Sequence, residues 1–181
     1  MIKHNYKKIK CDQKNLVNTD LPETTITYET NENNGDSTIV KKRITIIGDS
    51  LLNNIAEKGL QKNKNQRVKV RCHPGATTTD IIDHIKPEIR KKPDHMIIMA
   101  GTNDLSQVDV KTFQNLNEVL SLIRTESPET NVSISQVPMR KDIINSGQKV
   151  ADFNSRLKTF TEHHNCGLLN MSKIDGTCLG F

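Results

Sequence analysis

The sequence predicts an open α/β domain built on a parallel sheet, and three observations predict it. From residue 43 onward, short apolar runs alternate with amphipathic segments. One run, His95 to Ala100, is nearly unbroken in apolar character, as suits a central strand covered on both faces. No tight-turn pair such as Asn-Gly joins neighbouring strand candidates in this region, so crossovers rather than hairpins connect them.

The elements follow in order. Arg43 to Ile47 is the first strand, and Leu51, Leu52, Ile55 and Leu60 then recur at helical spacing. Residues 67–72 alternate in polarity like a half-buried or edge strand. Ile81, Ile82, Ile85 and Ile89 form one helical face, introduced by Thr77 and Asp80 as a capping pair. Pro87 puts the second half of that helix in question. After the third strand, Phe113, Leu116, Leu120 and Ile123 mark a helix that stops near Ser127-Pro128. Residues 131–137 are the fourth strand, Val150, Phe153, Leu157 and Phe160 the next helix, and 167–171 the fifth strand.

A chain of 181 residues suits one domain with a tail to spare. Residues 1–42 show no sustained period and are crowded with Asn, Thr, Lys and Glu, so they read as a disordered polar, basic arm preceding a domain over 43–181. Five lysines against Asp12 open that arm. They could touch nucleic acid, or they could be a solvated tail. Tyr6 and Tyr28 stand alone and offer no stacking ladder. No leader peptide or membrane-spanning run is visible, and the four cysteines lie far apart without zinc spacing. An intracellular, cytoplasmic chain with free thiols and no metal is the simplest expectation.

In an open parallel sheet, ligands bind beyond the C-terminal ends of the strands. Ser50 follows strand one, Gly75 follows strand two and Asn103 follows strand three. A serine beside one glycine N–H and one asparagine amide is an oxyanion hole in outline. Taken singly, each residue has a plainer role: Ser50 as a helix N-cap, Gly75 as a turn glycine, Asn103 as a turn residue. Their placement at three successive junctions favours the site. No Walker loop, dinucleotide fingerprint, G-x-S-x-G elbow or H-E-x-x-H is present.

On these residues the chain resembles the SGNH hydrolases, or GDSL-type esterases, across residues 43–178. "IIGDSLL", "PGATTTDI" and "MIIMAGTNDL" look like that family's first three blocks. The resemblance implies a three-layer α/β/α sandwich with a five-stranded, flavodoxin-like sheet. It implies cofactor-free hydrolysis of carboxylic esters such as lipids or acetylated sugars. It makes Ser50 the nucleophile, with Ser50, Gly75 and Asn103 as oxyanion donors, and leaves Asp49 and Asp104 to shape the loops. The blocks also look, more loosely, like esterase domains encoded by animal non-LTR retrotransposons.

The family draws its base from a late Asp-x-x-His block. Here Asp175 matches the acid and Cys178 stands at the histidine position. His95, His163 and His164 belong to the wrong end of the sheet, His84 to the solvent face of its helix and His4 to the arm. His73 is at the correct edge and reads as a rim or turn residue. No helix follows strand five, which favours a domain cut short over a true replacement of the base. The expectation is therefore an esterase domain impaired in this chain. The alternatives are a non-catalytic binding module whose arm contacts nucleic acid, or a defective gene copy. Oligomeric state is not legible.

Overall fold

The computed structural model describes residues 41–61, 64–105, 110–139 and 146–171. The elements are β1 (Lys42–Gly48), a 3-10 turn (Ser50–Leu52), α1 (Glu57–Leu60), β2 (Gln66–Cys72), α2 (Thr78–Ile89), β3 (His95–Met99), α3 (Val110–Glu126), β4 (Asn131–Ser135), α4 (Ser146–His163) and β5 (Gly167–Leu169). The five strands form one sheet in the order β2-β1-β3-β4-β5, and every pairing is parallel. The expected α/β fold class is the one observed.

This strand order fixes which face each crossover covers. The connection from β1 to β2 runs one way along the sheet, and the next three run the other way. Right-handed crossovers therefore put the first connection on one face and the rest on the opposite face. α2, α3 and α4 accordingly share one core with Ile47, Met96, Ile98 and Ile134, and Phe153 of α4 is fully buried there. The other face carries Ile46, Val70 and Ile97, packed by Leu51, Leu52 and Ile55 from the segment after β1. Burying each large apolar side chain contributes about 1.5–3 kcal/mol.

Several boundaries differ from expectation. The apolar spacing over 51–60 predicts one helix, but the chain makes a 3-10 turn and then a four-residue helix. Asn54 between them sits at φ 67°, a left-handed conformation that asparagine tolerates and a helix does not. α2 runs through Pro87 to Ile89; proline costs one backbone hydrogen bond there, while Ile85 and Ile89 on either side of it are fully buried. β4 and β5 are each two residues shorter than their apolar runs. The expected arm lies outside the described residues, apart from Lys41 and Lys42.

Gly101, just after β3, combines φ 111° with an impossible contact for any side chain. An added Cβ would overlap the ring of Phe153. Gly101→Ala is therefore expected to destabilise the protein by about 2 kcal/mol or more, from backbone strain plus overpacking. Gly147→Ala in α4, where the new carbon meets only Met139 at 3.7 Å, should be neutral or slightly stabilising. Urea unfolding of both variants checks the contrast; equal midpoints would refute it.

Candidate active site

The three expected junctions are neighbours because the register makes them so. Gly48, the last residue of β1, pairs with Cys72 of β2 on one side and with Met99 of β3 on the other. Ser50 lies two residues beyond that row, Gly75 three and Asn103 four. Backbone bonds fasten the loops as they leave the sheet. The Asp49 N–H donates to the Met99 carbonyl at 3.2 Å, and the His73 N–H donates to the Gly48 carbonyl at 2.8 Å.

The turn after β1 separates two roles that the sequence left open for Ser50. Asp49, fully buried, is the cap: its Oδ1 accepts the Leu51 N–H at 2.9 Å. Ser50 is the first residue of the turn and is exposed. Its hydroxyl is thus not the group that caps the turn. The expected loop-shaping role of Asp49 is met by that bond.

After β2, Gly75 occupies φ 81° at an exposed position with open space around it. Left-handed backbone is the reason for glycine here, since no neighbour would obstruct a side chain. Asn103 spans to the same loop, donating Nδ2–H to the Ala76 carbonyl at 2.9 Å. A carboxamide nitrogen carries a second hydrogen. Asp104 ties the third junction to α2 by accepting the Thr78 N–H at 3.1 Å and the Thr78 hydroxyl at 2.8 Å. Negative charge at a helix N-terminus is favourable. Asn115 of α3 extends this clasp, donating to Thr78 Oγ1 at 3.1 Å and to Thr79 Oγ1 at 2.9 Å. Thr78 and Asn115 escaped the sequence reading. Both read as ordinary polar helix positions until the fold buries them.

Cys72 and the histidines complete the edge. The Cys72 thiol donates to the Asp49 carbonyl oxygen at 3.3 Å. Burial, followed by the charge of Asp49, pushes its pKa up, so it stays a protonated thiol. His84 is not on a solvent face as expected. It is half-buried and stacks on His73, with ring centroids 3.8 Å apart and planes 8° from parallel. The pair lines a shallow depression of about 440 Å³ with Pro74, Gly75 and Asp80. Burial first, then the neighbouring His84, pushes the His73 pKa down. His95 sits at the opposite end of the sheet, buried and 3.0 Å from the Ser133 hydroxyl. His163 and His164 close α4 just ahead of β5, also at that far end. Asp175 and Cys178 lie outside the described residues. Among the described residues no three His, Cys, Asp or Glu side chains are grouped to hold a metal ion. No described helix is long and apolar enough to cross a membrane.

Residues 35–179 match the GDSL-like Lipase/Acylhydrolase family. No curated protein matches the sequence. Among solved structures, the fold is similar to a putative lipolytic protein of the G-D-S-L family from Desulfitobacterium hafniense, at 16% identity and TM-score 0.61 over 72% of this chain and 77% of that one. The psychrotrophic esterase EstA from Pseudoalteromonas, inhibited by monoethylphosphonate, aligns at 18% identity and TM-score 0.60 over 72% and 78%. A catalytic mutant of an acetylxylan esterase from Geobacillus stearothermophilus aligns at 15% identity and TM-score 0.58 over 70% and 74%.

Histidines at the two ends of the sheet give the domain a pH signature. A histidine whose folded pKa lies below its unfolded value adds stability that is fully present above about pH 6.5. That stability is lost as the pH falls through the depressed folded value. His73 and buried His95 both have lowered pKa values, so the urea midpoint should drop on acidification below about pH 6.5. NMR titration should place His73 below a free imidazole, and His84→Ala should raise it by removing a neighbouring charge and some burial. A His73 pKa unmoved by that substitution would contradict the stacked pair.

Proposed function

Because the chain belongs to the GDSL-like lipase/acylhydrolase family, we propose that it carries the site of a serine ester hydrolase, with Ser50 as nucleophile. The observation that carries this reading is the division of labour in the first turn. Asp49 does the capping, and the Ser50 hydroxyl stays exposed at the sheet edge where ligands of such folds bind.

The reaction proceeds in two halves. Ser50 Oγ attacks the ester carbonyl carbon while its proton leaves for a base. The carbonyl oxygen becomes an oxyanion and is held by the Ser50 and Gly75 N–H groups and by Asn103 Nδ2. Collapse breaks the bond to the alkoxy oxygen, which takes up the proton and departs as alcohol, leaving an acyl-serine. Water then attacks that ester as its proton passes to the base, and the same donors hold the second oxyanion. Collapse breaks the bond to Ser50 Oγ, which takes back the proton as the carboxylic acid departs. Each such donor typically contributes about 10²–10³ in rate. The Asn103 bond to Ala76 supports its role, because it fixes the amide against the Gly75 loop instead of leaving it to rotate.

The base is the weak member. In the family's pattern Asp175 orients a histidine, and Cys178 occupies that position here. A neutral thiol is a poor proton acceptor, since only its thiolate accepts one. The histidine stacked at this edge, His73, is engaged with His84 instead. The chain therefore acts slowly on small esters. The family and its structural neighbours suggest lipid or acetylated-sugar esters as the class.

Turnover of an aryl acetate should be measurable but low, and Ser50→Ala should reduce it to background. Asn103→Ala should cost about 10²-fold of what remains. Cys178→His should raise the rate by orders of magnitude, as restoring a triad member does. Turnover that survives Ser50→Ala unchanged would overturn the assignment.

A further inference from the structure

We propose that the N-terminal edge of the sheet, at the end opposite Ser50, is a surface that binds the phosphate backbone of nucleic acid. Four exposed cations gather at the strand starts: Lys41 and Arg43 at β1, and Lys64 and Arg67 at β2. Arg90, Lys91 and Lys92, also exposed, close α2. The two groups form one surface. The Arg43 guanidinium donates to the Lys91 carbonyl at 3.1 Å, and the Asp94 N–H donates to the Arg43 carbonyl at 2.9 Å. Arg43 and Arg67 are direct register partners on neighbouring strands.

The charge here is concentrated, not merely present. Two carboxylates pair with cations here, Asp94, 3.6 Å from Arg43, and Glu88, 2.6 Å from Lys91 and 2.9 Å from Arg71, while Glu126 and Glu129 stand at the same end of the sheet ahead of β4. At the corner formed by the starts of β1 and β2 and the end of α2, cations outnumber carboxylates. The helix dipole accounts for cations at the end of α2. It does not account for those at the strand starts. Placing Arg43 directly opposite Arg67 costs free energy in the isolated protein, because like charges are juxtaposed. Lys92 holds φ 47°, a cap position where glycine would be unstrained. A polyanion offsets the repulsion among these groups.

Two features select nucleic acid over an anionic membrane, and the backbone over the bases. The large exposed apolar side chains among the described residues are Val110 and Met139. Val110 opens the helix that follows β3, and Met139 follows β4, so both belong to the other end of the sheet. Among the described residues, no large exposed apolar side chain stands beside the cations as an anchor for a bilayer. No described aromatic side chain stands among them either, so the binding proposed for this surface is electrostatic and indifferent to sequence.

The test is fluorescence anisotropy of the full chain with a labelled single-stranded RNA, read across about 50–200 mM salt. Binding should weaken steeply with salt. The triple variant Lys64→Gln, Arg67→Gln, Arg90→Gln should bind at least about tenfold more weakly, with a salt slope shallower by about two. A control variant, Lys111→Gln, Lys149→Gln, Lys158→Gln, loses the same charge elsewhere and should keep most of the affinity. Circular dichroism confirms that both fold. Equal losses in the two variants would overturn the proposal, as would absence of binding at the lowest salt. Stronger binding to phosphatidylserine vesicles than to RNA would overturn it too. None of these outcomes bears on Ser50, which lies at the other end of the sheet.

Discussion

The close approach of β1 to β3 at Gly48 is the contact on which the rest of this end of the molecule depends. A side chain at Gly48 would overlap the Met99 carbonyl oxygen and crowd the Met99 side chain. That same oxygen accepts the Asp49 N–H, so the tight spacing and the direction in which the chain leaves β1 are set together. Asp49 is then buried with its carboxylate aimed back at the turn, and Ser50 is turned outward. A larger residue at Gly48 would therefore disturb the serine without touching it.

Around that contact, polar groups act as fasteners between loops that share no strand ladder. Asn103 holds the Ala76 carbonyl, Asp104 holds Thr78, and Asn115 holds Thr78 and Thr79. Two crossover connections and their helices, α2 and α3, converge through these bonds. Each such bond contributes about 1 kcal/mol net, yet leaving one buried partner unsatisfied costs more. The arrangement thus behaves as a unit, in which the positions of Gly75 and Asn103 are coupled through Ala76.

The two ends of the sheet are chemically distinct for a topological reason. In a parallel sheet all strand starts lie at one edge and all strand ends at the other, so sequence features that recur before or after strands are sorted into opposite surfaces. Small and polar residues that recur after strands collect at the Ser50 edge. Lysines and arginines at the starts of β1 and β2 and at the end of α2 collect at the other.

Strand identity, the capping pair of Thr77 and Asp80 and the three junction residues were legible from local pattern. Apolar run length and period report directly on what a strand or helix must bury. The same logic failed over 51–60, where Leu51, Leu52, Ile55 and Leu60 keep helical spacing but Asn54 breaks the backbone. It also misplaced His84, because a ring on the margin of a helix can face water or a neighbour, and only the position of His73 decides which. The sequence by itself determined the fold class, the order of elements and the candidate serine, since those depend on composition and spacing within single segments. Tertiary structure alone decided that Asp49 and not Ser50 caps the turn, that Thr78 and Asn115 brace the site, and that Arg43 meets Arg67. Those are contacts between segments, and register and crossover handedness, not local propensity, bring them together.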